Sequence, residues 1–164
     1  MKISFSVPGR PVPWARSGQN GKRHFTPPKQ SAAMKVVANA GFKALAGRPL
    51  IRGPIQMRIV FAYQWPETMR IKYRRKGLDM PTNEYMVGKP DADNLVKLVK
   101  DALKEVVWTD DCLVVSLHAW KVYSDQAETR VEIVQLREPE PVVAAPVAGG
   151  KAAARAAAEA LFRS

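Results

Sequence analysis

Hydrophobic and polar positions along this chain repeat with two different periods, and each change of period marks an element. Ile3, Phe5 and Val7 alternate with polar residues over Lys2–Val7, as in a half-buried strand. Residues 8–23 then mix Pro, Gly, Ser and Asn with cations, which predicts a surface loop. From Pro28 to about Ala46 the spacing of Met34, Val37, Ala38, Gly41, Phe42 and Leu45 predicts one face of a helix. Thr26 is its candidate cap, Pro27 or Pro28 lies in its first turn, and Gly47 and Pro49 end it. Ile55, Met57, Ile59 and Phe61 then alternate again, a strand with one face in the core.

Trp65–Pro90 shows no period and carries Arg70, Lys72, Tyr73, Arg74, Arg75 and Lys76, so it reads as a long basic loop or lid. A helix is predicted from about Ala92 to Val107. Leu95, Val99, Ala102 and Val106 fall on one face, and Asp93, Lys97, Lys100 and Lys104 on the other. Leu113–Tyr123 and Thr129–Leu136 read as two strands joined by a short turn and expected to pair as an antiparallel hairpin. These elements predict one α/β (α+β) domain over residues 1–138, a small mixed sheet backed by helices. A Pro/Ala/Gly linker over 139–150 and an Ala-rich helical tail over 151–164 follow. Trp65, Trp108 and Trp120 are assigned to the core.

Charge changes the picture. The 164 residues include 26 Lys plus Arg against 15 Asp plus Glu, a formal net charge of +11. Such an excess favours a phosphate-rich partner over a merely soluble basic protein. Cys112 is the lone cysteine, which excludes an intrachain disulfide and a thiolate zinc cluster, points to a reducing cytoplasm, and is expected to pack in a strand. The N-terminus has too short an apolar run for a secretory signal, and no stretch approaches the roughly 20 apolar residues of a membrane span.

Against that cationic background, carboxylates concentrate in Lys89-Pro90-Asp91-Ala92-Asp93-Asn94 and in Trp108-Thr109-Asp110-Asp111. Capping at the start of the second helix accounts for one of them. It does not account for two carboxylates, Lys97 one turn later, and a second pair beyond the helix. Hard divalent cations take oxygen ligands, so converging carboxylates among cations also suit phosphodiester hydrolysis. Residue types alone leave both a capped turn and a metal site open. His24 and His118 lie outside the motif and are weak candidates for a base.

The run from Lys89 to Lys97, continued through Asp101-Ala102-Leu103, Trp108–Asp111 and Val114-Val115, resembles the core of RusA-type Holliday junction resolvases, small phage-associated endonucleases. The order of elements over most of residues 1–136 agrees with that family. The resemblance implies an α/β homodimer that cuts four-way DNA junctions in pairs with Mg²⁺, or Mn²⁺ in its place, in DNA recombination and repair. It further implies that Asp91, Asp93 and Asp111 are the essential metal-site aspartates, with their neighbour Asp110 as a further metal ligand, and that Lys97 is the essential lysine. The basic insertion before Lys89 and the Ala-rich tail depart from the family pattern.

Lys97 would then stabilise charge on the phosphorane; otherwise it forms a helix-surface pair with Asp93. DNA phosphates are expected to meet Arg10, Arg16, Lys22 and Arg23 in one loop, Arg70, Lys72, Arg74, Arg75 and Lys76 in the other, and Lys89. Trp14 and Tyr73 either stack on exposed bases or pack against the core. From Asp93 to about Glu105 a helix rises roughly 18 Å. The residues from there to Asp111 return across that distance only if nearly extended. Failing that, a two-fold partner supplies Asp111 to the other chain's Asp91 and Asp93. The rival reading is a basic module that binds branched or single-stranded nucleic acid without cutting it.

Overall fold

The computed structural model describes residues 1–16, 18–20, 23–81 and 84–137, with residues 18–20 and 23–25 described by their backbone. Lys22, the Arg23 and His24 side chains, the linker and the tail lie outside the described residues. The elements are β1 (Lys2–Pro8), β2 (Gly18–Asn20), β3 (Arg23–Phe25), α1 (Pro28–Leu45), β4 (Ile55–Gln64), α2 (Glu67–Arg75), α3 (Ala92–Leu103), β5 (Val114–Ser124) and β6 (Glu128–Gln135). A single 3-10 turn, Asp111–Leu113, leads into β5.

A four-stranded mixed sheet runs β1-β6-β4-β5. β6 pairs antiparallel with both β1 and β4, whereas β5 runs parallel to β4. The expected hairpin of the last two strands is therefore corrected: β4 lies between them. The reason is burial, because Ile55, Met57, Ile59, Phe61 and also Ala62 and Tyr63 of β4 are buried, and so apolar a strand belongs in the centre. α1 and α3 pack on one face of the sheet, where Ile3, Val7, Val37, Leu95, Val99 and Ile133 join one core. The opposite face carries ion pairs such as Lys2–Glu132 at 2.6 Å and leaves Trp120 36% exposed, so Trp120 is not a core residue. Trp65 and Trp108 are buried as expected.

Other expectations are corrected locally. Part of the first loop is a two-stranded β2–β3 hairpin. Thr26 does not cap α1, whose N-cap position is Pro27 with Pro28 in the first turn. Phe42 is 67% exposed, one position off the buried stripe of Val37, Gly41 and Leu45. The basic segment after Trp65 contains α2, which buries no residue and so leaves no apolar period in the sequence. Cys112 sits exposed in the 3-10 turn, not in a strand. Among the described residues no helix is long and apolar enough to cross a membrane.

Candidate active site

Helix α3 organises the site. Its apolar face buries Leu95, Val96, Leu98, Val99, Ala102 and Leu103, so Asp93 and Lys97 are turned outward one helical turn apart. Asp91 occupies the N-cap position with extended backbone (φ −70°, ψ 145°), yet its side chain makes no capping bond. Capping therefore does not explain this carboxylate. Asp91 and Asp93 are both exposed, and among the described residues neither takes part in a side-chain hydrogen bond or ion pair.

The approach to Asp91 is held from the sheet. Lys121 on β5 donates from Nζ to the Pro90 carbonyl at 2.8 Å and also to the Gly88 carbonyl. The backbone of Met86 and Glu84 adds to the same strand, through Met86 N–H to the Lys121 carbonyl (2.9 Å) and Tyr123 N–H to the Glu84 carbonyl (2.8 Å). Sequence reasoning missed Lys121. Its signal was a charged residue at a position of β5 paired with Phe61, on the side of the sheet that the helices cover.

Lys97 does not pair with Asp93. Its Nζ lies 3.5 Å from the centroid of the Trp14 ring, a cation–π contact. Trp14 is fixed there by its own N–H, which donates to the Asn94 carbonyl at 2.8 Å, while the next amide, Ala15 N–H, donates to Gln30 Oε1 at 2.9 Å. Gln30 is buried on α1. Trp14 thus packs against the domain, as one of its two expected roles required, and one ring face is already occupied by a cation.

The other carboxylates are at the far end of α3. After Leu103 the chain turns sharply, with Glu105 in the left-handed region (φ 61°) and its N–H donating to the Trp108 carbonyl at 2.7 Å. Trp108 bridges to Lys104 and to Ile51, so the following residues stay beside the helix end. Asp111 Oδ1 accepts from the Trp108 indole at 3.0 Å, and its Oδ2 is 3.7 Å from Lys100 Nζ. Asp110 caps the 3-10 turn, accepting the Cys112 N–H at 3.0 Å, and meets Lys104 Nζ at 3.1 Å. The Cys112 amide first, and Lys104 with it, hold the Asp110 carboxyl down at about 2. Asp101, to which the sequence reading gave no role, faces both Lys97 and Asp111; burial raises its pKa and Asp111 adds to this, while Lys97 opposes it.

From Asp91 to Lys100 the helix rises roughly 14 Å. One chain therefore carries Asp91 and Asp93 at the N-terminal end of α3 and, separately, Asp110 and Asp111 beside its C-terminal end. Among the described residues no group of three His, Cys, Asp or Glu side chains converges to hold a metal.

Of the expected DNA contacts, Arg10, Arg16 and Lys89 are exposed near the Asp91 end, and Lys72, Arg74, Arg75 and Lys76 are exposed on α2. Tyr73 is half-buried. Arg70 instead turns inward, donating to the Asp125 carboxylate and carbonyl at 3.3 Å each, and so ties α2 to the turn after β5.

Residues 8–134 match the family model of the endodeoxyribonuclease RusA. Over 140 residues the chain is 35% identical to the uncharacterized protein YqaN of Bacillus subtilis (strain 168), covering 80% of this chain and 94% of YqaN.

Proposed function

Since this chain belongs to the RusA endodeoxyribonuclease family, we propose that it is a Mg²⁺-dependent endonuclease that resolves four-way DNA junctions by paired hydrolysis. It works as a homodimer in which each active site draws on both subunits. The observation that carries this reading is the separation of the carboxylates: two unengaged aspartates at one end of α3 and two engaged ones at the other. A two-fold partner with its α3 antiparallel brings Asp111 of one subunit towards Asp91 and Asp93 of the other. A substrate with two-fold symmetry then meets two symmetrically placed sites.

The edge of the sheet supports the same arrangement. Residues 84–86 cover the outer side of β5 at its C-terminal half, whereas Val115 and Leu117 in the N-terminal half are 61% and 43% exposed. An uncovered apolar strand edge favours pairing with another strand. Antiparallel pairing of this half with its copy directs the partner's 3-10 turn, which carries Asp111, towards the half of β5 where Lys121 holds the lead-in to Asp91.

The donor set fits a hard cation: oxygen ligands only, with Asp91 and Asp93 in no ion pair among the described residues. Asp91, Asp93 and the second subunit's Asp111 would hold Mg²⁺, or Mn²⁺ with the same donors. When bound, the metal supplies Lewis acidity and a more acidic water. Lys97 contributes a cation one turn from Asp93, positioned by Trp14, to offset charge developing on the phosphoryl oxygens. The exposed cations of α2 and of the segment around Arg10 hold duplex phosphates without reading sequence.

The test is cleavage of a labelled four-way junction and a matched linear duplex in Mg²⁺, with the Asp91→Asn protein alongside. Paired nicks confined to the junction are expected from the native chain. Asp91→Asn lowers the rate by about 10³-fold or more while junction binding persists. Tight junction binding by the native chain without metal-dependent cleavage overturns the nuclease in favour of a binding module.

A further inference from the structure

A cavity of about 530 Å³ opens beside Asp91, and three cations reach it from three different segments: Arg10 after β1, Lys29 in the first turn of α1, and Lys89 before α3. Among the described residues, Asp91 is the one carboxylate on its lining. Cations brought together from separated segments repel one another, and an anion between them removes that cost. The volume lies in the range of small-ligand sites.

The walls are fixed before any ligand arrives. The backbone of Trp14 is tied to Asn94 on α3, that of Ala15 to Gln30 on α1, and the Pro90 carbonyl to Lys121 on β5. The Arg10 guanidinium lies 5.9 Å from the centroid of the buried Tyr63 ring, whose hydroxyl donates to the Pro11 carbonyl at 3.5 Å. Burial pushes the Tyr63 phenol up to about 12, so that hydroxyl keeps its proton at neutral pH. Cations held on rigid walls lose little freedom when they bind an anion.

We propose that this cavity is a seat for the DNA phosphate next to the scissile one, with Arg10, Lys29 and Lys89 as its positioning residues. The inference rests on the nuclease reading for what lies beside the seat, and adds Lys29, which the sequence did not single out. By holding the neighbouring phosphate, the seat sets where the strand crosses Asp91 and Asp93.

The experiment walks a single uncharged methylphosphonate through the phosphates around the branch point. Junction affinity without metal is measured first and the cleavage rate in Mg²⁺ second, for the native chain and for Lys29→Gln and Arg10→Gln. Both substitutions are at exposed positions and leave the fold intact, as thermal melting checks. At one position adjacent to the cut, the native chain is expected to lose affinity by about tenfold on methylphosphonate substitution, whereas Lys29→Gln, already weakened, loses little more. If both variants respond to every methylphosphonate as the native chain does, the seat is overturned. If the binding pattern appears but no chain cuts, the seat stands and the nuclease reading fails.

Discussion

The two ends of helix α3 carry the same residue type in opposite states. At the N-terminal end Asp91 and Asp93 stand exposed with no side-chain partner among the described residues, and the nearest helical cation, Lys97, is drawn aside onto Trp14. At the C-terminal end Asp110 and Asp111 are each held twice, by Lys104 and the Cys112 amide and by Lys100 and the Trp108 indole. Carboxylates whose oxygens already accept hydrogen bonds stabilise a turn. Carboxylates left with free lone pairs, beside cations directed elsewhere, are available to a metal. On the proposed composite site, the difference means that one chain presents Asp91 and Asp93 unengaged and holds Asp111 within its own scaffold.

The largest effect expected from breaking this comparison is a complementation. Asp91→Asn and Asp111→Asn proteins should each be inactive alone. Mixed after joint refolding, they form heterodimers in which one composite site carries both substitutions and the other carries neither. About a quarter of the native nicking activity returns, because about half of the dimers are mixed and each has one good site. Nicks in only one strand of each junction accompany it, read on a denaturing gel. Had each chain built its own complete site, the mixture would stay inactive.

A smaller effect sharpens the role of the C-terminal end as scaffold. Gly41 of α1 faces α3, and a Cβ there would run into Leu103 and meet Val107 at 3.1 Å. Ala ordinarily favours a helix over Gly, but here Gly41→Ala should destabilise the fold by about 1–3 kcal/mol through overpacking. Urea unfolding measures this. The loss should fall on stability, with metal-free junction binding retained at a temperature where the variant is folded.

The smallest expected effect is a pH dependence. An unperturbed aspartate titrates near 3.9, roughly, whereas Asp110 is held down to about 2 in the folded chain. Its folded pKa is depressed, so its contribution to stability is present above about pH 4 and is lost as pH falls towards 2. Asp110→Asn should shallow the acid limb of thermal stability in that window, and 1 M NaCl should weaken the native dependence by screening Lys104.

Local pattern was enough for several of these features. The alternation from Ile55 to Phe61 identified β4, and the spacing of Leu95, Val99 and Ala102 identified α3 with Asp93 and Lys97 on its outer face, because these periods express which side of an element meets the core. The rise of α3 also showed that Asp111 returns to Asp91 only along a nearly extended path, and the turn at Glu105 keeps it at the far end. The helix α2 was not legible, since a helix that buries nothing writes no apolar stripe into the sequence.

The sequence by itself determined that a basic chain carries Asp91 at the start of a helix, Asp93 and Lys97 on that helix's polar face and Asp111 beyond the helix end. Tertiary structure alone decided that β4 separates β5 from β6, that Lys121 holds the lead-in to Asp91, that Trp14 takes Lys97, and that Arg10, Lys29 and Lys89 share one cavity. Those meetings join residues far apart in the chain. Helical and strand periods record only which neighbours along one element face the same way, whereas strand order and side-chain encounters follow from how the whole apolar surface is buried at once.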